Sequence, residues 1–355
     1  MLSQPEEPPQ PRTAERVEPA SIAPIAPIAP AVQRETPAAA FPRHYLSIEG
    51  YRLYPFTIEA KPVFDRYARA IVAPLSDYTF ANNIIWLSQK SGFYQIIEDC
   101  FCLFSLNGHC LTMLLPPIGA PDRQQAALAK CFEIMDGYNP SPYLSLVEFV
   151  YRDFTQLLDP ERWLIERSLP DYIYRTEDLI ELKGNAYKTK RSEINQFRRS
   201  YPDHRMEVLG PQHWDGIRAL IDTWLRNRLK YLSADAIADF FYTVEQERQA
   251  IERALDHYDT LGLSGLCLII SGKLEGFTFG DRITRDVGNV LVEKTNFAIP
   301  GSAQYLFREY AKNFADCTYI NVGDDLGLEN LRRVKMSYRP ALFGEKVTLR
   351  HNPAS

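Results

Sequence analysis

The chemistry-bearing residues of this chain gather near its C-terminal end. The stretch Tyr319-Ile320-Asn321-Val322-Gly323-Asp324-Asp325-Leu326-Gly327 runs from an apolar strand into an acidic turn containing glycines. Leu328-Glu329-Asn330-Leu331-Arg332-Arg333-Val334-Lys335 follows with three cations. Carboxylates at such a junction take up a proton or hold an amine, and cations three apart on one helix face hold a phosphate. The same acids also suit helix capping, worth about 1 kcal/mol. Two acids in succession leave one over after a cap is made. Upstream, Glu293 and Asn296 stand three apart on an expected strand, on opposite faces unless a bulge intervenes. A strand-edge salt bridge of Glu293 with Lys294 or Arg282 is the competing reading. Gly301 opens the next helix, where a single glycine beside Pro300 suits helix initiation as well as phosphate binding. Tyr338 lies just past the last helix.

A second charge anomaly spans 183–205, where seven Lys/Arg face two acids, Glu193 and Asp203. Within it Lys188, Lys190, Arg191 and Asn195 are candidate polyanion ligands, whereas Ile194 and Phe197 fall on the core side. A solvated helix face is the alternative. The histidines lack metal-ligand spacing, and no metal site is expected.

The chain must build elements to position these groups. Its 355 residues, 45% hydrophobic and 24% charged, fit globular protein of about two domains. A net charge of −5 gives no global pull toward nucleic acid or anionic lipid. No apolar run approaches the roughly 20 residues of a membrane span. Six cysteines without C-x-x-C spacing read as reduced thiols, and with no signal-peptide pattern a cytoplasmic protein is expected, with a peripheral membrane location open. Residues 1–40, with Ile-Ala-Pro repeats, read as a disordered tail.

From Phe41 onward, a helix at 60–72 precedes strands at 94–97, 100–105 and 110–115, a helix at 126–135, and strands at 144–149 and 163–166. The second half reads as a strand at 172–182, a helix at 186–200, a strand at 206–209, helices at 212–228 and 235–258, and strands at 265–270, 273–281 and 287–298, with a tight hairpin at Ser271-Gly272. A helix at 302–314, a strand at 318–322, a helix at 326–336 and one final strand at 341–349 close it. Helix pair, three antiparallel strands, helix, strand, helix, strand is the order of an acetyltransferase-like (GNAT) domain. The expected architecture is thus α/β, with two tandem GNAT-like domains at 41–168 and 169–350 and a short tail at 351–355.

Five segments together resemble the C-terminal domain family of phosphatidylglycerol lysyltransferase (DUF2156-like). They are Leu75-Ser76-Asp77-Tyr78-Thr79-Phe80-Ala81-Asn82 with Trp86, and Pro116-Pro117-Ile118-Gly119. Next come Leu179 through Gly184 with Lys188-Thr189-Lys190-Arg191 and Asn195-Gln196-Phe197, then Glu293-Lys294-Thr295-Asn296 with Gly301. The opening stretch, continued to Lys335, Tyr338 and Pro340, is the fifth. The resemblance spans roughly 50–350. It implies tandem GNAT-like domains and transfer of an aminoacyl group from a charged tRNA to a lipid headgroup. A Pro/Ala tail stands where such relatives carry membrane helices, so a peptide or amine acceptor stays open. On this reading Glu293, Asp324, Asp325 and Tyr338 are catalytic, and Asn296, Gly301, Arg332, Lys335 and the basic segment bind substrate. A coenzyme A donor and a non-catalytic binding module are the alternatives. The GNAT pattern of paired small residues after a cation is met only by Gly301 and Ala303.

Overall fold

The computed structural model describes residues 44–87, 91–229 and 234–352. The tail expected at 1–40 lies outside them, as does most of 351–355. The first half contributes β1 (Leu46–Ile48), β2 (Tyr51–Pro55), α1 (Lys61–Ala68), α2 (Phe80–Trp86), β3 (Gly92–Ile97), β4 (Cys100–Asn107), β5 (Cys110–Met113), α3 (Pro121–Tyr138), β6 (Leu146–Tyr151) and β7 (Trp163–Arg167). The second half begins with β8 (Asp171–Arg175), α4 (Thr176–Glu181), α5 (Lys188–Ser200), β9 (Arg205–Val208), α6 (Trp214–Leu229), α7 (Ala234–Asp256) and α8 (Tyr258–Leu261). It continues with β10 (Ser264–Ile270), β11 (Lys273–Thr284), β12 (Val287–Thr295), α9 (Ser302–Ala311), β13 (Tyr319–Asn321), α10 (Glu329–Met336), β14 (Leu342–Gly344) and β15 (Lys346–His351).

The hairpins follow from local chemistry. Glu98-Asp99 and Ser271-Gly272 take positive φ at both turn residues, the geometry that matches strand twist. Several segments depart from expectation: β1, β2 and α2 were not foreseen, and one expected strand changes type midway. The run 172–182 is strand only to Arg175 and then turns helical, because Glu177 and Asp178 fall in the first helical turn and complement its dipole.

The strands form two sheets, in the orders β1-β2-β3-β4-β5-β6-β15-β7 and β14-β8-β13-β12-β11-β10-β9. Each is antiparallel except for one parallel step, β5 with β6 and β12 with β13. Helix α3 buries Leu128, Cys131, Phe132 and Met135 on the first sheet. One apolar cluster runs from Phe56 and Phe101 of the first half to Ile217, Ile251 and Phe277 of the second, so the halves share a core. Both sheets are mostly antiparallel and flanked by helices.

The final strand expected at 341–349 is two strands in two sheets. β14 pairs with β8, and β15 inserts between β6 and β7. The seat next to the parallel step is therefore filled by β15 in the first sheet and by β8 in the second, so the second half lends the first a strand. A cut at 168/169 leaves the second sheet whole but separates β15 from the first. Residues 41–168 alone would lose β15 and with it the buried Val347 and Leu349. That fragment is expected to be insoluble or to lack a cooperative thermal transition. A folded, cooperatively melting fragment would refute the interlock.

Candidate functional site

β12 and β13 pair only from Val287–Asn289 to Tyr319–Asn321. β12 then runs on to Thr295 while the other chain keeps to β8, so the two parallel strands part at their carboxyl ends. Open sheets of this kind take ligands at that place. A bulge shapes β12. Val292 pairs with Phe279 and Val290 with Gly280, so Leu291 is an extra residue. Gly280 accommodates it, since a Cβ there would stand 1.8 Å from the Asn289 carbonyl oxygen.

Glu293 follows the bulge. Its Oε2 is buried and accepts no hydrogen bond among the described residues. Burial alone pushes its carboxyl up to about 8. The expected salt bridge is absent: Lys294 Nζ lies 2.8 Å from Glu247 and 4.2 Å from the Trp224 ring centre, and Arg282 is 2.7 Å from Asp316. Tyr338 is buried within electrostatic reach of Glu293 and Glu193; burial first, then those carboxylates, hold its phenol protonated. Lys190 Nζ lies 4.4 Å from the Tyr338 ring centre. That lysine is buried too, and burial depresses its pKa against the pull of Glu193. α5 and the end of α10 thus set Lys190 over the Tyr338 ring, and Tyr338 within electrostatic reach of Glu293 on β12.

Other predicted ligands have structural duties. Asn296 Nδ2 donates to Glu275 at 2.8 Å and its Oδ1 accepts from Ala298 N–H at 3.0 Å, so it fastens a turn instead of facing a substrate. Gly301 has φ +80°, and a Cβ would come within 2.4 Å of the Glu193 carbonyl oxygen. The close passage of α5 accounts for that glycine. Arg191 donates to the Leu182 and Gly184 carbonyls, closing the left-handed end of α4. Lys188 and Asn195 are exposed on α5, whereas Ile194 and Phe197 are buried as expected.

The acidic turn also differs from expectation. α10 starts at Glu329 after Leu328, so neither aspartate caps it. Asp324 Oδ1 accepts from Leu326 N–H and Asp325 Oδ1 from Gly327 N–H, both at 2.9 Å, which caps the turn itself. Asp325 Oδ2 lies 2.8 Å from Arg332 Nε and accepts from the Tyr172 hydroxyl at 2.6 Å. Arg332, with Tyr172, holds that carboxyl down at about 2 against burial. Asp325 is a permanent anion already paired, unfit as a base, and Arg332 is committed to it. Lys335 Nζ donates to the carbonyls of Val322 at 2.6 Å, Gly323 at 3.1 Å and Asp324. Burial lowers it to about 8. It clamps the turn from behind and is not placed to hold a phosphate.

One cluster escaped the sequence reading. Lys346, nearly inaccessible at the start of β15, lies 2.9 Å from Asp77, 2.9 Å from Asp171 and 3.3 Å from Asp324. Burial opposes its charge, but the three acids outweigh burial and hold the ammonium well above its usual range. Asp171 Oδ2 accepts from Ser76 N–H and hydroxyl at 2.9 and 3.1 Å and from Asn321 Nδ2 at 2.8 Å. Asp77 stood in a recognised segment without a role. Lys346 opens a strand, ordinarily a surface position for a lysine, and gave no local signal of burial.

A family model described as phosphatidylglycerol lysyltransferase, C-terminal, matches residues 69–348. No curated protein matches. A conserved protein of unknown function from Bacteroides thetaiotaomicron is 27% identical with a TM-score of 0.74, covering 86% of this chain and 100% of that one. The DUF2156 C-terminal domain of a protein designated a lysylphosphatidylglycerol synthetase, from Agrobacterium fabrum, is 14% identical with a TM-score of 0.60, over 82% and 92%. The L-PGS of Bacillus licheniformis is 13% identical with a TM-score of 0.58, over 83% and 92%. These last two share the fold. Among the described residues no helix is long and apolar enough to cross a membrane.

Proposed function

The chain belongs to the phosphatidylglycerol lysyltransferase C-terminal family, and from that premise we propose that it is a cytoplasmic transferase acting where β12 and β13 part. Its donor is an aminoacyl-tRNA, and its acceptor is a lipid headgroup, a peptide or an amine. The observation that carries this reading is Glu293, whose Oε2 is buried without a hydrogen-bond partner among the described residues and whose carboxyl burial pushes up to about 8, on β12 where it has parted from β13. A base poised near neutral pH suits removal of a proton from an attacking hydroxyl or amine. That nucleophile forms the new bond to the ester carbonyl carbon as its proton passes to Glu293, the carbon–oxygen bond to the tRNA breaks, and Glu293 returns the proton to the departing ribose oxygen. Tyr338, held protonated, and Lys190 are the donors available to the oxyanion. Lys188, Arg198 and Arg199, exposed along α5, offer cations to the donor's polyanion.

A coenzyme A donor draws less support, because the packing of α5 explains Gly301 without a pyrophosphate. The test incubates purified protein with labelled aminoacyl-tRNAs and, separately, phosphatidylglycerol vesicles, peptides and small amines. Label is expected in one acceptor class. No transfer from any charged tRNA, with saturable binding of acetyl-coenzyme A, would overturn the donor assignment.

A further inference from the structure

Two leucines occupy backbone positions that suit other residues. Leu326 has φ +52°, a left-handed conformation that glycine or asparagine adopts more readily, yet its side chain is 69% exposed. Leu328 is the N-cap of α10, makes no side-chain cap and is 50% exposed, where serine or aspartate would stabilise the helix. The fold gains nothing from either side chain. Residues that break local preference without a packing return point to function.

They do not stand alone. α10 has no buried residue, and it exposes Val334 and Met336. Phe343, also exposed, packs edge-on to Tyr172 at 5.5 Å, and Tyr172 bonds to Asp325 in the same turn. The stretch 326–343 carries Arg332, Arg333, Lys335 and Arg339 against one acid, Glu329; Arg332 is engaged by Asp325 and Lys335 by the turn carbonyls, which leaves Arg333 and Arg339 as its outward cations. Arg333 and Arg339 are exposed and form no ion pair among the described residues.

We propose that this segment is a docking surface for an anionic lipid bilayer. Protruding aliphatic side chains enter the acyl boundary while flanking arginines meet lipid phosphates. Charge complementarity selects this occupant. A second copy would set like charge against like charge. RNA would use the arginines, but it stacks on aromatic rings and has no use for leucines. Because the surface borders the clamped turn after β13, docking would bring the parted strand ends to the membrane. The inference rests on this surface and not on the transfer chemistry.

The test is co-sedimentation of the full chain with phosphatidylcholine vesicles, with and without phosphatidylglycerol. Binding is expected only to the anionic vesicles and should weaken as salt rises. The pair Leu326→Asn and Leu328→Ser is expected to reduce binding about tenfold or more. Arg333→Gln should reduce it about fivefold and flatten the salt dependence. Both sets suit the local backbone, and unchanged thermal unfolding would verify that. No binding to anionic vesicles, or binding indifferent to both sets, would overturn the proposal. So would a concentration-dependent dimer, or a tRNA complex, that the leucine pair abolishes.

Discussion

Replacing Lys346 with methionine is expected to destabilise the protein by about 3–5 kcal/mol at pH 7, the cost of removing one partner from a buried ion cluster. The lysine is nearly inaccessible and neutralises Asp77, Asp171 and Asp324 at once. Its folded-state pKa is raised, so its contribution is fully present below the unfolded lysine value of about 10.4 and is lost only as pH rises through the folded value. At pH 7 the whole contribution is therefore at stake. Without the lysine the three carboxylates repel one another, and protonation relieves them, so the defect should shrink toward pH 5. Burial first, then Asp171 and Asp324, already favour a proton on Asp77, while Lys346 opposes it. The second substitution Asp77→Asn should therefore restore part of the loss. Urea unfolding of both variants at pH 5 and 8 checks this. A loss under about 1 kcal/mol at pH 7 would show that the cluster is not a stabilising junction.

The second large effect is on rate. Glu293→Gln keeps the shape of the side chain and removes the base, and kcat/KM for aminoacyl transfer should fall about 10²- to 10⁴-fold. In the parent protein kcat/KM should climb with pH and level off above about 8, where the carboxyl is ionised. The glutamine variant should lack that limb. Stability offers an independent readout. Glu293 has a raised folded pKa, so the native state binds more protons than the unfolded chain between 4.5 and about 8, and stability declines as pH rises through that window. The glutamine variant is free of this decline and should gain on the parent between pH 5 and pH 9. Activity within about threefold of the parent, with the pH limb intact, would remove Glu293 from the mechanism.

The parts legible in the sequence were those set by short windows. The hairpin turn at Ser271-Gly272, the inward Ile194 and Phe197 of α5, and most of the longer strands and helices follow from patterns within a few turns of chain, whereas the short β1, β2, α2 and α4 were not read. The value of Glu293 was partly legible, as a charge in a half-buried strand. Its lack of a partner was not, because that depends on Lys294 turning to Glu247 and Arg282 to Asp316. The acidic turn was misread for a related reason. Acids just before a helical pattern look like caps, but α10 begins later and Leu328 holds the cap position.

By itself, then, the amino-acid sequence determined most of the longer element types, the family and the neighbourhood of the candidate site, since periodicity and turn chemistry act over adjacent residues. Tertiary structure decided which charges meet. Lys346 and Asp77 lie 269 positions apart and pair only because β15 leaves the second half to enter the first sheet. Within the second sheet, β8 pairs with β13 and so sets Asp171 beside Asn321, 150 positions away. A side chain's local sequence sets its charge in water, but burial and distant partners set whether it ends as a clamp, a buried ion pair or a base.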